Sequence, residues 1–260
     1  MSFQVTQELM DFALSLARDA GDVIMEIYNT NFEVRSKDDD SPVTEADELA
    51  EALIRARLED AYTDIPFIGE EAYAAGHRPD ISSGLFWLVD ALDGTKEFVH
   101  KRGEFTVNIA LIEDGTPIFG VVHAPAKERI FWGSLEHGAF GADGDAAPRK
   151  IQTREPNPDG ITVVASRSHR SGEDEFLKQF NVKDTVNAGS SLKFCLVAAG
   201  EADMYPRMGP TSEWDTAAGH AVLLAAGGEL TQFDGSPFVY GKDNIRNPHF
   251  IARGHPDQSL

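Results

Sequence analysis

The chain has 260 residues, of which 42% are hydrophobic and 25% are charged, so it has the composition of a globular protein with a large core. A formal net charge of −20 argues against binding to nucleic acid polymers or anionic lipid, because both repel an acidic surface. The single cysteine excludes an internal disulfide, and the apolar pattern predicts neither a secretory signal nor a membrane-spanning segment.

Two helices are predicted at the start of the chain. Apolar residues recur at helical spacing over residues 6–29, and a second helix is expected over residues 45–61. Thr44 is the expected N-cap of the second helix, and Asp47 falls in its first turn, where the helix dipole favours an acid. A polar loop is predicted over residues 37–42, between the two helices.

Strands dominate the next part of the chain. An apolar run over residues 85–89 predicts a buried strand that ends at Asp90. Residues 105–111 and 117–123 flank an Asp-Gly turn and predict a β-hairpin. The other elements predicted here are a short strand over 66–69, further strand and turn over 128–138 and 138–141, and a surface loop over 141–148.

A segment rich in Pro, Asn and Asp, residues 153–160, predicts a boundary between two halves, 1–155 and 156–260. Beyond it strands alternate with helices, which is typical of an α/β layer arrangement. Cys195 lies in an apolar helical run and is expected to be a buried structural thiol. The predicted strands of the second half are 161–165, 203–205 and a last one around Leu230, and the predicted helices are 172–180, 190–199 and 214–226.

The most informative stretch is Asp-Ala-Leu-Asp-Gly-Thr at residues 90–95, which directly follows the apolar run. Two carboxylates three residues apart suit a hard cation such as Mg²⁺, and a Gly-Thr turn beside a cation suits a phosphate. The alternative is a solvated turn, because Asp and Gly are common in turns generally. This stretch alone leaves both interpretations open.

Three further acids stand at or beside the ends of predicted elements, and each has an ordinary structural explanation. Asp47 suits the helix dipole, and Glu70 with Glu71 could form a solvated charged turn. Asp215 lies near the start of a predicted helix, where an N-cap or a first-turn acid is expected.

In chain order, however, the acids form one pattern: Asp47, Glu70-Glu71, Asp90-x-Leu-Asp-Gly-Thr and Trp214-Asp-x-Ala-Ala. The pattern resembles that of the lithium-sensitive, Mg²⁺-dependent phosphomonoesterases of the inositol monophosphatase superfamily, and the likeness extends over residues 12–252. One position departs from it, since Ala91 stands where the superfamily usually has Pro. This change removes a turn constraint and no ligand.

Within the superfamily, the chain is most similar to the bacterial 3'(2'),5'-bisphosphate nucleotidases of the CysQ type. The segments that carry this likeness are 41–44, 94–98, 103–111, 166–169, 189–195 and 214–221. The resemblance implies an α/β fold of α+β layers, the αβαβα sandwich of the inositol monophosphatases and fructose-1,6-bisphosphatases. It also implies two or three Mg²⁺ ions as cofactors and Li⁺ as an inhibitor.

The same resemblance implies roles for individual residues. The implied metal ligands are Glu70, Asp90, Asp93, Asp215 and the backbone carbonyl of Leu92. The implied catalytic residues are Asp47, Glu70 and Thr95, with the Thr95 hydroxyl positioning a water and relaying its proton. The implied substrate contacts are Gly94, Thr95, Ser166, His169, Ser190, Lys193, Arg207 and Asp215.

Arg207 lies where the similar inositol phosphatases tend to carry an acid that could bind sugar hydroxyls. A guanidinium instead suits a second phosphate, which it can bind through two hydrogen bonds. We therefore hypothesise that Arg207 favours a bisphosphorylated substrate, and a surface salt bridge is the alternative. Without the resemblance, His169 would be interpreted as a capping or surface histidine.

The expected activity is hydrolysis of the 3'-phosphate of adenosine 3',5'-bisphosphate to AMP and phosphate, which removes an inhibitory by-product of sulfate assimilation. The alternatives are inositol-1-phosphate or fructose-1,6-bisphosphate hydrolysis and, in a different class, a non-catalytic nucleotide- or ion-binding module. Against the last, every metal and water-activating position is filled. We expect a cytoplasmic protein; a homodimer and peripheral association with the inner membrane are left open, although the net charge argues against the second.

Overall fold

The computed structural model describes residues 2–36, 42–166 and 172–255. The helices of these residues are α1 (Gln7–Tyr28), α2 (Glu45–Ala61), α3 (Glu70–Ala74), α4 (Thr95–Val99), α5 (Glu173–Leu177), α6 (Leu192–Ala198) and α7 (Ala217–Ala225). Short 3₁₀ turns occur at Pro125–Lys127 and Glu213–Asp215. Most of the predicted loop over 37–42 lies outside the described residues.

The strands form two main sheets. The strands are β1 (Arg35–Ser36), β2 (Pro42–Val43), β3 (Phe67–Gly69), β4 (Leu85–Asp93), β5 (Thr106–Glu113), β6 (Thr116–Ala124), β7 (Arg129–Ser134), β8 (Gly138–Asp143), β9 (Arg149–Ile151), β10 (Ile161–Ser166), β11 (Val182–Ala188), β12 (Met204–Arg207), β13 (Glu229–Gln232) and β14 (Phe250–Arg253). The large sheet has the order β3-β4-β5-β6-β7-β8-β9, and only its β3–β4 pair is parallel. The small sheet has the order β11-β10-β12-β14-β13, with β10 parallel to both of its neighbours.

The large sheet is covered on both faces, which explains why β4 is apolar at every position before its acids. Trp87 and Val89 pack with α1 and α2, whereas Phe86 and Leu88 belong to the cluster that includes α6 and α7. Successive strand residues therefore serve two different cores. The small sheet packs against the other side of α6 and α7, so the layered α/β sandwich expected from the resemblance is confirmed.

Both N-terminal helices are confirmed, as is the predicted Thr44 cap of α2, and Thr6 caps α1. The Thr6 hydroxyl accepts a hydrogen bond from the Leu9 N–H, and the Thr44 hydroxyl accepts one from the Ala46 N–H. The predicted β-hairpin is also confirmed as the antiparallel pair β5–β6. Cys195 is buried, as expected, and burial raises the pKa of its thiol.

Several predicted elements differ from those observed. Strand β4 does not end at Asp90 but continues to Asp93, and β8 extends into the predicted loop over 141–148. The predicted helix over 214–226 begins as a 3₁₀ turn, and α7 itself starts at Ala217. The helices predicted over 172–180 and 190–199 are shorter in the structure, as α5 and α6.

Five strands were not predicted, namely β1, β2, β9, β11 and β14. Strand β11 has mostly polar, exposed residues because it lies at the edge of the small sheet. Strand β14 follows the strand around Leu230, which is therefore not the last of the chain. The division into halves 1–155 and 156–260 stays a prediction: the two sheets fall on either side of it, while α7 packs against β6 and β7 of the first half.

Candidate active site

A cavity of about 310 Å³ lies at the ends of β4, β10 and β12. It brings together all the predicted site residues that the structure describes, apart from Asp47. These are Glu70, Asp90, Leu92, Asp93, Gly94, Thr95, Ser166, Ser190, Lys193, Arg207 and Asp215. His169 lies outside the described residues.

A β-bulge brings the two acids of the 90–95 motif into the same cavity. Asp90 pairs with Asn108 of β5 and Asp93 pairs with Thr106, so three steps along β4 match two steps along β5. In a regular strand, residues three apart point to opposite faces of the sheet. The extra residue alters this alternation, and both carboxylates line the cavity.

Three carboxylates form a cluster that could hold a cation. Oxygens of Glu70, Asp90 and Asp215 all lie within 4.8 Å of one another. Backbone N–H groups orient two of them: Leu92 donates to Asp90 Oδ1 at 3.0 Å, and Ser212 donates to Asp215 Oδ2 at 2.8 Å. Oxygen ligands of this kind suit Mg²⁺, so the donor set fits the predicted metal.

Asp93 lies in the same cavity but not in this cluster. Burial raises the pKa of Asp93 to about 6, although Lys193 opposes the shift. Burial also raises the pKa of Asp215 well above its usual value, and the negative charges of Asp93 and Glu70 add to that effect. Crowded carboxylates of this kind are stabilised in their ionised form by a bound cation.

Asp47 lies directly behind Thr95. The Thr95 hydroxyl donates to Asp47 Oδ1 at 3.0 Å, although the two residues are 48 positions apart. The other carboxylate oxygen, Oδ2, accepts hydrogen bonds from the Thr44 N–H at 2.8 Å and the Thr44 hydroxyl at 2.7 Å. Asp47 therefore completes the capping box of α2 and also binds the threonine of the motif.

Gly94 allows the chain to turn from β4 into α4 beside the cavity. Its φ of +93° lies in the left-handed region that favours glycine. A Cβ at this position would lie 2.7 Å from Ser190 Oγ and 3.1 Å from the Glu104 carbonyl oxygen. Any side chain here would therefore push the motif away from the segment that carries Ser190.

Hydrogen bonds within the protein hold Ser190 and Lys193. The Ser190 hydroxyl donates to the Glu104 carbonyl at 2.6 Å, and Lys193 Nζ donates to the Ser190 carbonyl at 2.6 Å. Burial, with a smaller contribution from Arg207, lowers the pKa of Lys193 to about 8, and Asp93 opposes the shift. Cationic side chains therefore line the same cavity as the carboxylates.

Arg207 is buried, with 8% of its surface exposed, so it is not a surface arginine. Its Nη2 donates to the Pro210 carbonyl at 3.4 Å, and its Nε has no hydrogen-bond partner among the described residues. A buried donor without a partner is costly unless a ligand satisfies it. The cavity is the place where such a ligand would bind.

The cavity also contains residues that sequence reasoning missed, among them Tyr205, Arg246 and Phe250. Tyr205 and Phe250 lie on β12 and β14, and their rings pack edge to face with centroids 5.6 Å apart. Tyr205 stands two residues before Arg207 in a strand, a spacing that could have indicated it. Arg246 lies in a polar segment without periodicity, so no sequence signal pointed to it.

The family model of the inositol monophosphatase family matches residues 5–257. The chain belongs to this family. Among its relatives, the 3'(2'),5'-bisphosphate nucleotidase CysQ of Escherichia coli K12 is 45% identical over 93% of this chain and 98% of the relative. The CysQ of Haemophilus influenzae is 30% identical, with coverage of 98% and 96%.

Solved structures of the inositol monophosphatase family have the same fold. The crystal structure of CysQ from Bacteroides thetaiotaomicron has a TM-score of 0.81 and 36% identity, and the match covers 95% of this chain and 97% of that one. The Thermotoga maritima IMPase also has a TM-score of 0.81, at 25% identity, with coverage of 95% and 92%. In the parts of the chain that the structure describes, no helix has the length and apolar character needed to cross a membrane.

Proposed function

We propose that this inositol monophosphatase family member is a Mg²⁺-dependent 3'(2'),5'-bisphosphate nucleotidase. Its substrate is adenosine 3',5'-bisphosphate, which it hydrolyses at the 3'-phosphate to AMP and phosphate. The observation that carries the proposal is that one cavity contains both the clustered carboxylates and the buried guanidinium of Arg207. Such a cavity suits a molecule with two phosphates. The identity to the CysQ nucleotidases over almost their whole length supports the same activity.

The metal ligands in this proposal are Glu70, Asp90, Asp93, Asp215 and the carbonyl of Leu92, and they would hold two or three Mg²⁺ ions. When bound, Mg²⁺ would lower the pKa of a water and stabilise negative charge on the phosphoryl oxygens. Because burial raises the pKa of Asp93 and of Asp215, the bound cations would favour the ionised carboxylates, and Lys193 supports the ionised form of Asp93. Li⁺, with a single charge, would occupy one of these positions without the same effect and so inhibit the enzyme.

Thr95 and Asp47 orient the attacking water in this proposal. Because the Thr95 hydroxyl donates its proton to Asp47 Oδ1, its oxygen lone pairs are free to accept a proton from a water in the cavity. Asp47 is held by Thr44, so the hydroxyl keeps its direction. Thr95 therefore positions the water and relays its proton, with Asp47 or Glu70 as the base.

Substrate is bound in this proposal by Gly94, Ser166, His169, Ser190, Lys193 and Arg207. The turn amides at Gly94 and Thr95 would contact the phosphate that is hydrolysed, since the glycine lets the backbone approach closely. The Ser190 hydroxyl already donates to Glu104, so it would serve as an acceptor for a substrate hydroxyl or amine. Arg207 would bind the second phosphate through Nε, its donor without a partner among the described residues.

The remaining proposals concern the setting of the reaction. The enzyme would act in the cytoplasm, where it would remove an inhibitory by-product of sulfate assimilation. A homodimer is compatible with this activity. Peripheral association with the inner membrane is disfavoured by the net charge of −20.

The experiment that tests the proposal measures phosphate release in the presence of Mg²⁺. Adenosine 3',5'-bisphosphate, inositol 1-phosphate and fructose 1,6-bisphosphate are compared as substrates under the same conditions. A higher kcat/KM for the nucleotide supports the proposal. A preference for either sugar phosphate would overturn the substrate while keeping the metal site, and no turnover of any ester would favour a binding module.

A further inference from the structure

Arg246 lies at the mouth of the cavity, and its backbone is fixed to the segment that carries Asp215. Residues 211–213 and 245–247 run antiparallel: the Asn247 N–H donates to the Thr211 carbonyl at 2.9 Å, and the Glu213 N–H donates to the Ile245 carbonyl at 2.9 Å. Ser212 and Arg246 are directly opposed in this pairing. The position of Arg246 is therefore set by the same segment whose N–H orients Asp215.

The guanidinium of Arg246 has little to bind within the protein. Its Nη1 lies 3.5 Å from the Ser212 hydroxyl, and it forms no ion pair with any of the described residues. Two exposed arginines elsewhere do have such partners, since Arg35 pairs with Glu48 and Arg149 lies 3.5 Å from Asp143. In a chain with a net charge of −20, an arginine without a carboxylate partner at a cavity mouth is a site for an external anion.

Arg207 and Arg246 approach the same short stretch of the wall from its two ends. Arg207 binds the carbonyl of Pro210, and Arg246 contacts the side chain of Ser212. Two consecutive peptide steps span at most about 7 Å, so both guanidinium groups contact the same short stretch of chain at the cavity. A phosphate ester carries close to two negative charges at neutral pH, which two guanidiniums can balance.

We propose that Arg246 determines substrate specificity by binding, together with Arg207, the phosphate that is not hydrolysed. This inference rests on the proposed function, because it needs a substrate with two phosphates. Arg207 supplies the buried half of the phosphate site and Arg246 the half at the entrance. Arg246 also attracts the dianion into a cavity that is lined by carboxylates as well.

The test compares two substrates that differ only in the second phosphate, adenosine 3',5'-bisphosphate and adenosine 3'-monophosphate. Arg246→Gln removes the charge, and Arg246→Lys keeps the charge but loses the planar pair of donors. Arg149→Gln is the matched control, because it removes the same charge from an exposed arginine of β9 that does not line the cavity. The melting temperature of each variant is measured alongside.

Arg246→Gln is expected to lower kcat/KM for the bisphosphate about tenfold, mainly through KM, and to leave the monophosphate within about twofold of wild type. For the bisphosphate, Arg246→Lys should have a kcat/KM between those of wild type and Arg246→Gln. Arg149→Gln should leave kcat/KM unchanged for both substrates. As a second readout, Arg246→Gln should weaken product inhibition by AMP, which keeps the 5'-phosphate, but not inhibition by inorganic phosphate.

The inference is overturned by the following outcomes. If Arg246→Gln lowered kcat/KM equally for both substrates, Arg246 would act only by supporting the Asp215 segment. If it lowered kcat/KM for neither substrate, Arg246 would be an ordinary surface arginine. If wild type itself fails to prefer the bisphosphate over the monophosphate, the two-phosphate site is absent and the proposed function fails with it. If wild type prefers the bisphosphate and Arg246→Gln keeps that preference, only the inference about Arg246 fails.

Discussion

Replacing Asp47 with asparagine separates the structural role of this residue from its proposed role in orienting water. Among its contacts, Asp47 accepts hydrogen bonds from the Thr44 N–H and hydroxyl on Oδ2 and from the Thr95 hydroxyl on Oδ1. The Thr44 backbone N–H can only donate, so the amide oxygen of the introduced asparagine must face it. The amide nitrogen then faces Thr95, where it is also a donor.

The Asp47→Asn change therefore reverses the hydrogen bond to Thr95. The hydroxyl must accept from the amide, which uses one of the lone pairs that would otherwise receive the proton of the water. A loss of this kind in general acid–base catalysis is worth about a hundredfold or more in kcat/KM. The variant should still fold, because both hydrogen bonds from Thr44 remain. Their acceptor is now a neutral amide instead of a carboxylate, which lowers the free energy of unfolding by about 2 kcal/mol.

The assay is phosphate release at saturating Mg²⁺ from wild type, Asp47→Asn, Thr95→Val and the double variant, with urea denaturation of each. If the two residues act as a unit, the double variant should be no slower than either single variant. Thr95→Ser, which keeps a hydroxyl, should recover much of the activity of Thr95→Val. The reasoning is refuted if Asp47→Asn stays within about threefold of wild type while Thr95→Val is inactive.

Three further predictions concern the motif, a buried histidine and the metal. Gly94→Ala should lower kcat/KM at least about tenfold, because the new Cβ meets Ser190 Oγ. Gly76→Ala is the control, because Gly76 has a similar φ of +91° and a Cβ there would have nothing within 4 Å. It should lower the free energy of unfolding by only about 1 kcal/mol and leave activity unchanged. Burial lowers the pKa of His220 to about 3 from 6.5, so the unfolded chain binds the extra proton between these values and stability falls as pH drops below 6.5. Measured by urea denaturation, the free energy of unfolding should fall by about 2 kcal/mol between pH 7 and pH 5, and His220→Gln should lack this fall. An equal fall in the variant would contradict the prediction. Chelation with EDTA should abolish activity and excess Mg²⁺ should restore it, whereas full turnover in EDTA would rule out the metal site.

The sequence predicted the elements that carry strong local signals. Helices α1 and α2 have clear apolar periodicity and threonine caps, and both were placed within a residue of their observed ends. Strand β11 was not predicted, because a strand at the edge of a sheet need not be apolar. The end of β4 was misplaced because the bulge at Asp90–Asp93 depends on pairing with β5, which no local pattern reveals.

The candidate site was predictable as a set of residues but not as an arrangement. The order of the acids along the chain predicted Asp47, Glu70, Asp93 and Asp215 as site residues. Only the fold shows that Thr95 contacts Asp47 and that Asp93 lies outside the cluster of Glu70, Asp90 and Asp215. Arg246 could not be found from its own segment, because its place at the cavity depends on pairing with residues 211–213. The roles assigned to these residues stay predictions until the variants are measured.

The carboxylate cluster draws its members from distant parts of the chain, and this links cation affinity to conformational stability. Glu70 and Asp90 precede the segment between the two sheets, whereas Asp215 follows it. A cation bound by all three therefore acts as a crosslink that only the folded chain can form. Its binding free energy adds to the free energy of unfolding, so the melting temperature should rise with the logarithm of Mg²⁺ concentration once the site begins to saturate.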